Sequence, residues 1–328
     1  MQNTKTANQV TYSRIVLYFL VSFVFSIVIL FFSLSFGGHF INPFSFFSQE
    51  NAVFMSLRLP RVLADFMVGA GLSVVGCSFQ TYFRNPLADP FILGIAGAAA
   101  VGVAVSLFAG VSGFVATQML SLSFALATIF FVYWAAGGLN SLTANSLILV
   151  GVGLNFFFTS IITFFNSVFS ESFTKDLLMW YLGSTVFLDI NLVMISFFIV
   201  VIFSAILYMQ SGKLNVYLLG EDFAINSGVN IRGFSLIIYV VGSLITSVIV
   251  AMCGAIGFVG IIIPHIVKII FGLDHRINMI LCFFLGGSFV VVIDTIFKTV
   301  FFPYEVPIGA VTAIIGTPFF IYILRRRI

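Results

Sequence analysis

Ionisable side chains are scarce in this chain, with 14 Lys or Arg and 11 Asp or Glu, and many sit where an apolar run begins or ends. Arg58 and Arg61 stand at i and i+3, one face of a helix, with Asp65 one turn deeper and able to compensate Arg61. Asp294 and Lys298 form an i,i+4 pair near the end of another run. By spacing such charges read as anchors of helix ends, through snorkelling and local ion pairs. His265 follows Pro264 inside an apolar run, which fits a proton relay or, with no acidic neighbour in sequence, a structural hydrogen bond. His39 and His275 read as loop residues rather than ligands. Cys77, Cys253 and Cys282 lie in apolar runs without metal-ligand spacing, so neither a metal site nor a disulfide is expected. The patterns GxxxxGK[ST], GxSxG and HExxH are absent, so no phosphate cradle, nucleophile elbow or metalloprotease zinc site is expected.

The elements that must carry these residues follow from composition. The chain is 61% hydrophobic and 8% charged, against about 25% charged for a soluble domain, and its mean hydropathy is +1.19. It reads as an all-α integral membrane protein, one transmembrane domain over residues 1–328. About 20 apolar residues cross a bilayer, and the Gly, Pro and polar breaks divide the chain into about ten spans. These are 15–36, 58–83, 91–110, 114–136, 145–168, 190–210, 233–253, 255–271, 277–298 and 307–324. The first run is too long for a signal-peptide core and reads as a retained helix. An even number of spans places both termini on one side. With the N-terminus inside, ten basic residues fall inside and only Arg58, Arg61, Lys175 and Lys298 outside, so both termini are expected in the cytoplasm. The net charge of +3 therefore marks sidedness, and no nucleic-acid partner is expected.

Three polar features interrupt the apolar pattern. The turn Arg84-Asn85-Pro86-Leu87-Ala88-Asp89-Pro90 opens backbone that hydrocarbon cannot satisfy, so it must be buried in protein or meet water. The segment 213–232, KLNVYLLGEDFAINSGVNIR, fits two short helices meeting near Gly220 or Gly228, with Glu221 and Asp222 at a helix start. By composition alone a solvated loop is the default reading of such a polar break. In the fifth span Asn155, Thr159, Thr163 and Asn166 share one face, suited to a translocation pathway or to hydrogen bonds between helices.

Three stretches resemble a known family: residues 58–97, containing Arg84, Asn85, Pro86 and Pro90; residues 254–276, with Pro264-His265; and residues 305–326, with Pro307 and Gly309. In order and spacing the chain resembles the FecCD family, the membrane subunits of ATP-driven importers for iron-siderophores, haem and vitamin B12. The resemblance implies a type II ABC importer permease fold in a bacterial or archaeal inner membrane. It implies a homodimer with two ATPase subunits, which would carry ATP and Mg, and an extracytoplasmic binding protein. This chain itself would hold no cofactor and catalyse no reaction. By the same resemblance Leu219, Gly220, Glu221, Ala224 and Gly228 would dock the ATPase. Arg58, Arg61 and Lys298 would receive the binding protein. Ala144 and Asn145 would form an inner gate, and Thr312, Gly316 and Thr317 would join the fifth span in lining the pathway. Two rival classes are an ion-coupled secondary transporter, which would carry ionisable residues near the midplane, and an intramembrane enzyme.

Overall fold

The computed structural model describes residues 12–36, 54–111, 113–138, 143–186 and 188–327, and these are helical with no strand. Seven helices are long and apolar enough to cross a membrane: α1 (Tyr12–Ser35), α2 (Leu59–Tyr82), α4 (Phe114–Ala135), α5 (Ala144–Val168), α7 (Ile190–Met209), α10 (Ile231–Cys253) and α12 (His275–Val300). Shorter apolar helical stretches in α3 (Ile95–Phe108), α11 (Val259–Phe271) and the Ile308–Ile321 part of α13 (Ile308–Arg327) complete the ten expected spans. Short helices α6 (Glu171–Tyr181), α8 (Ser211–Leu218) and α9 (Glu221–Asn226) lie between them. The amphipathic α6 has no counterpart among the expected spans. His39 lies outside the described residues.

α2 is the axle of the bundle, buried along nearly its whole length and packed by α12, α11, α10 and α7. Its glycines explain how. A Cβ on Gly69 would lie 2.1 Å from the Gly286 carbonyl oxygen, and one on Gly76 would lie 1.9 Å from that of Gly260. Without side chains at these crossings the backbones meet directly, the contact by which helices gain packing in lipid.

Helix direction follows from side-chain pairs. α1 runs parallel to α12, since Ser26 meets Ser288 at 2.9 Å and Ser33 meets Thr295 at 2.6 Å. α13 runs parallel to α11: Gly316 abuts Phe258, and Phe319 stacks edge-on to His265. Tyr12 and Arg327 consequently lie at the same end of the bundle as Arg84, α8 and α9, here the Glu221 end. Arg58, Arg61 and Lys298 occupy the other, the Arg61 end.

α3 begins later than expected because residues 90–93 form a 3-10 turn that Gly94 ends at φ 80°. The chain leaves α2 at the Glu221 end and dips back into the protein, bringing Pro90 against Gly260 beside Leu72. Between the seventh and eighth spans the chain makes a five-residue reversal, 254–258, in which Gly254 and Phe258 both take positive φ.

Candidate functional site

At the Arg61 end one guanidinium gathers two distant carboxylates. Arg61 Nε and Nη2 donate to both oxygens of Asp294 at 2.8 and 2.9 Å, and Nη1 donates to Glu305 at 2.8 Å. Lys298 Nζ lies 3.9 Å from Asp294 and 3.4 Å from the Ser33 hydroxyl, while Arg58 donates to the carbonyls of Leu34 and Ser35. Asp65 makes no direct bond to Arg61 and compensates it only as a nearby charge. Its carboxylate accepts from Thr185 at 2.7 Å and is fully buried, because α2 turns that face toward the loop after α6. The three basic residues are therefore matched by Asp65, Asp294 and Glu305, and Arg61 and Lys298 are largely buried. The end is not a net-positive patch among the described residues.

At the Glu221 end, segment 213–232 forms two short helices, α8 and α9, joined at Gly220 with φ 131°. Gly228, at φ 81°, turns the chain into α10, whose start Asn230 caps through Gly233 N. Ala224 is buried beneath, whereas Leu219 (69%), Phe223 (50%) and Ile225 (54%) are exposed around Glu221. Exposed apolar side chains flanking carboxylates make a surface that suits a protein partner. Tyr217 donates weakly to Glu221 at 3.5 Å, and Arg84 lies over the Tyr217 ring at 4.8 Å. Burial first, and then the Glu221 charge, hold the Tyr217 phenol above its ordinary range, which keeps it a donor.

Two side-chain networks bind this end to the bundle. Pro264 has no N–H, so the Gly260 carbonyl loses its helical donor. Gln80 Nε2 supplies one at 3.1 Å, and Lys268 Nζ caps the Gln80 oxygen at 3.0 Å. His275, expected in a loop, is instead the first residue of α12 and fully buried. Asn215 of α8 donates to Asp274 at 2.8 Å, which fixes its other atom as an acceptor for His275 N and Nδ1 at 2.8 and 2.9 Å. Thr81 of α2 meets His275 Nε2 at 2.6 Å.

The re-entrant turn lies between these ends. Asn85 accepts from Leu87 N, Asp89 accepts from Phe91 N at 2.8 Å, and Arg84 takes φ 50° to begin the turn. The N–H groups of Arg84, Asn85, Leu87 and Ala88 are each bonded within the protein. Asn155 of α5 reaches the carbonyls of Phe91 and Ile92 at 3.5 and 3.4 Å, while the hydroxyls of Thr159 and Thr163 return to their own helix at i−4. Thr159, Thr163 and Asn166 face outward. At the α5 start Thr143 caps Ser146 N, leaving Asn145 exposed and Ala144 half-buried.

The family model for the FecCD transport family matches residues 18–326, nearly the whole chain. The chain belongs to the FecCD transport family. It is 36% identical over 280 residues to the uncharacterized ABC transporter permease protein YvrB of Bacillus subtilis, 84% of this chain and 79% of that one. It is 34% identical over 287 residues to the cobalamin import system permease protein BtuC of Halobacterium salinarum, covering 87% and 77%. Among solved structures, an inward-facing conformation of a metal-chelate type ABC transporter superposes with a TM-score of 0.83 at 27% identity, covering 95% of this chain and 99% of that one. Membership makes this chain a multi-pass permease subunit of an ATP-binding cassette importer.

Within this FecCD permease the family stretches converge: Pro90 packs on Gly260, four residues before Pro264-His265. Gly309, two residues after Pro307, lies where a Cβ would be 2.3 Å from the Leu182 carbonyl. Two expected pathway residues do not face outward. Thr312 is buried with its hydroxyl on the Gly309 carbonyl, and Gly316 is filled over by Phe258, because that side of α13 packs on α11. Thr317 alone of that set is exposed. Gln80, Asn215, His275 and Glu305 escaped the sequence reading. Only His275 had a local signal, the helix-capping Asp274 before it.

Proposed function

We propose that this permease moves a metal chelate, a ferric siderophore first and haem or cobalamin next, into the cytoplasm by alternating access. The observation that carries this reading is the family match over 18–326, supported by the fold shared with a metal-chelate transporter. Curated relatives are permeases named for import of cobalamin, Fe(3+)-citrate, hemin and Fe(3+)-hydroxamate. Two copies of the chain enclose the pathway, with Asn155, Thr159, Thr163 and Thr317 toward it and Ala144 and Asn145 at the inner gate. Two ATPase subunits dock on α8 and α9, and they rather than this chain hold ATP and Mg. A binding protein docks at the Arg61 end. The charges at the helix ends argue against an ion-coupled carrier, which needs ionisable groups near mid-membrane. Uptake of a ferric siderophore into proteoliposomes of the full complex is expected to require ATP; uptake driven by an ion gradient alone would overturn the reading.

The Glu221 end faces the cytoplasm in this proposal. A cysteine at position 221 is expected to react with a membrane-impermeant maleimide only in inverted vesicles. Labelling in intact cells would reverse the orientation.

Coupling through α9 makes a second prediction. Glu221→Lys is expected to lower ATP-driven uptake about ten-fold or more, the effect of losing roughly 1.4 kcal/mol of a specific contact. Glu221 is exposed and touches only Tyr217 weakly, so insertion and folding should not change. Full uptake together with unchanged co-purification of the ATPase would refute the docking assignment.

A further inference from the structure

We propose that a groove between α1, α7 and α12 binds one anionic phospholipid, its acyl chain in the groove and its phosphate at Arg276. The groove is a cavity of ≈ 450 Å³, walled by Ile15 and Phe19 of α1, Ala205 of α7 and Phe283 of α12, and floored by Val74 of α2. α1 packs on α12 and touches α2, so the gap toward α7 reaches the axle of the bundle. Its surface is almost entirely carbon, and it lies along helices that cross the bilayer. Only hydrocarbon fills such a space without cost, because water there would find almost no polar partner.

The few polar groups are ordered as a phospholipid requires. Tyr208 lines the groove toward the Glu221 end, and Tyr12, Arg276 and Asp274 lie close enough to interact with it electrostatically. Arg276 is exposed one turn before Ile280, another groove residue, and a Cβ on Gly212 would lie 3.9 Å from its Nη2. Among the described residues no carboxylate pairs with Arg276 within 4 Å. The nearby Asp274 carboxylate is already engaged by Asn215 and the α12 amide. An arginine beside a tyrosine at the end of membrane helices is the composition of a headgroup site. Ser204, one turn deeper than Tyr208, lines the groove with a buried hydroxyl that has no partner. The occupant braces the corner at Gln210 where α7 passes into α8.

Photo-crosslinking tests this on the unmodified permease in nanodiscs, using phosphatidylglycerol that carries a diazirine on one acyl chain. Labelled peptides are expected to map to the groove faces of α1, α7 and α12. Unlabelled phosphatidylglycerol should compete about five-fold better than phosphatidylcholine, the contrast one juxtamembrane arginine gives. Arg276→Gln should bring that ratio to about one while groove labelling persists, since the chain site is intact. Ala205→Trp should remove groove labelling while labelling elsewhere on the lipid-facing surface remains. Labelling of the unmodified groove no stronger than its surroundings, or equal competition by both lipids, would overturn the proposal.

Discussion

Replacing Arg61 by Met is expected to destabilise the permease by about 3–5 kcal/mol, the cost of leaving a buried charge without its partner. Arg61 and Asp294 are 12% and 3% exposed, and the guanidinium grips both oxygens of Asp294, so its loss leaves that buried carboxylate only the 3.9 Å contact to Lys298. Adding Asp294→Asn should recover part of the loss, because the under-paired carboxylate is then gone while Lys298 gives up only a 3.9 Å contact. Glu305, 52% exposed, should behave differently: Glu305→Gln should cost at most about 1 kcal/mol, as for solvent-screened pairs. Thermal unfolding in detergent, read by size-exclusion, measures all three. Equal small effects for Arg61→Met and Glu305→Gln would show that the cluster does not hold the fold. The same variants bear on the proposed docking. Glu305 occupies one arm of Arg61 that an acidic residue of the binding protein would need, so Glu305→Gln should tighten docking in a pull-down. Weaker docking by this variant would remove Arg61 from the docking set.

Gly76→Ala is expected to abolish the folded permease rather than weaken it. The added carbon would sit 1.9 Å from the Gly260 oxygen and 2.6 Å from its carbonyl carbon, and neither backbone can step aside. Parting α2 from α11 would also break the Gln80 bond to Gly260 and the seat of Pro90. Overpacking usually costs about 1–3 kcal/mol, and a backbone-to-backbone clash lies at or beyond the top of that range. Gly153→Ala is the control. It lies in α5 with nothing within 4 Å of the new carbon, and should be neutral or stabilise by up to about 1 kcal/mol. Folded yield in the membrane and in detergent separates the outcomes. A Gly76→Ala protein as abundant and stable as the parent would show that the crossing is looser than its geometry.

Much of this was legible in the sequence. Membrane class, the ten spans, the two short helices about Gly220 and the polar turn at 84–90 all follow from runs or breaks within about 20 residues. Those are local properties, and a bilayer reads them locally. The capping of α12 by Asp274 was equally local, yet His275 was misplaced because a polar triplet after Gly272 also fits a loop.

What hydropathy could not determine is which helix stands beside which. Asp65 follows Arg61 by one turn, and helical spacing made it able to compensate the charge; the tertiary structure gave the hydrogen bonds of Arg61 to Asp294 and Glu305, 233 and 244 residues away. The same holds for Gln80 at Gly260 and Asn215 at His275, where a helix break or a helix start is completed by a side chain from another helix. Thr312 and Gly316 shared a helix with the exposed Thr317, and only the packing of α11 decided that they face inward. A sequence sets the length and polarity of each span through the energy of transfer to lipid. The partner of each polar group inside is set by contacts only a few ångströms long, and these exist once the glycine crossings have brought the backbones together.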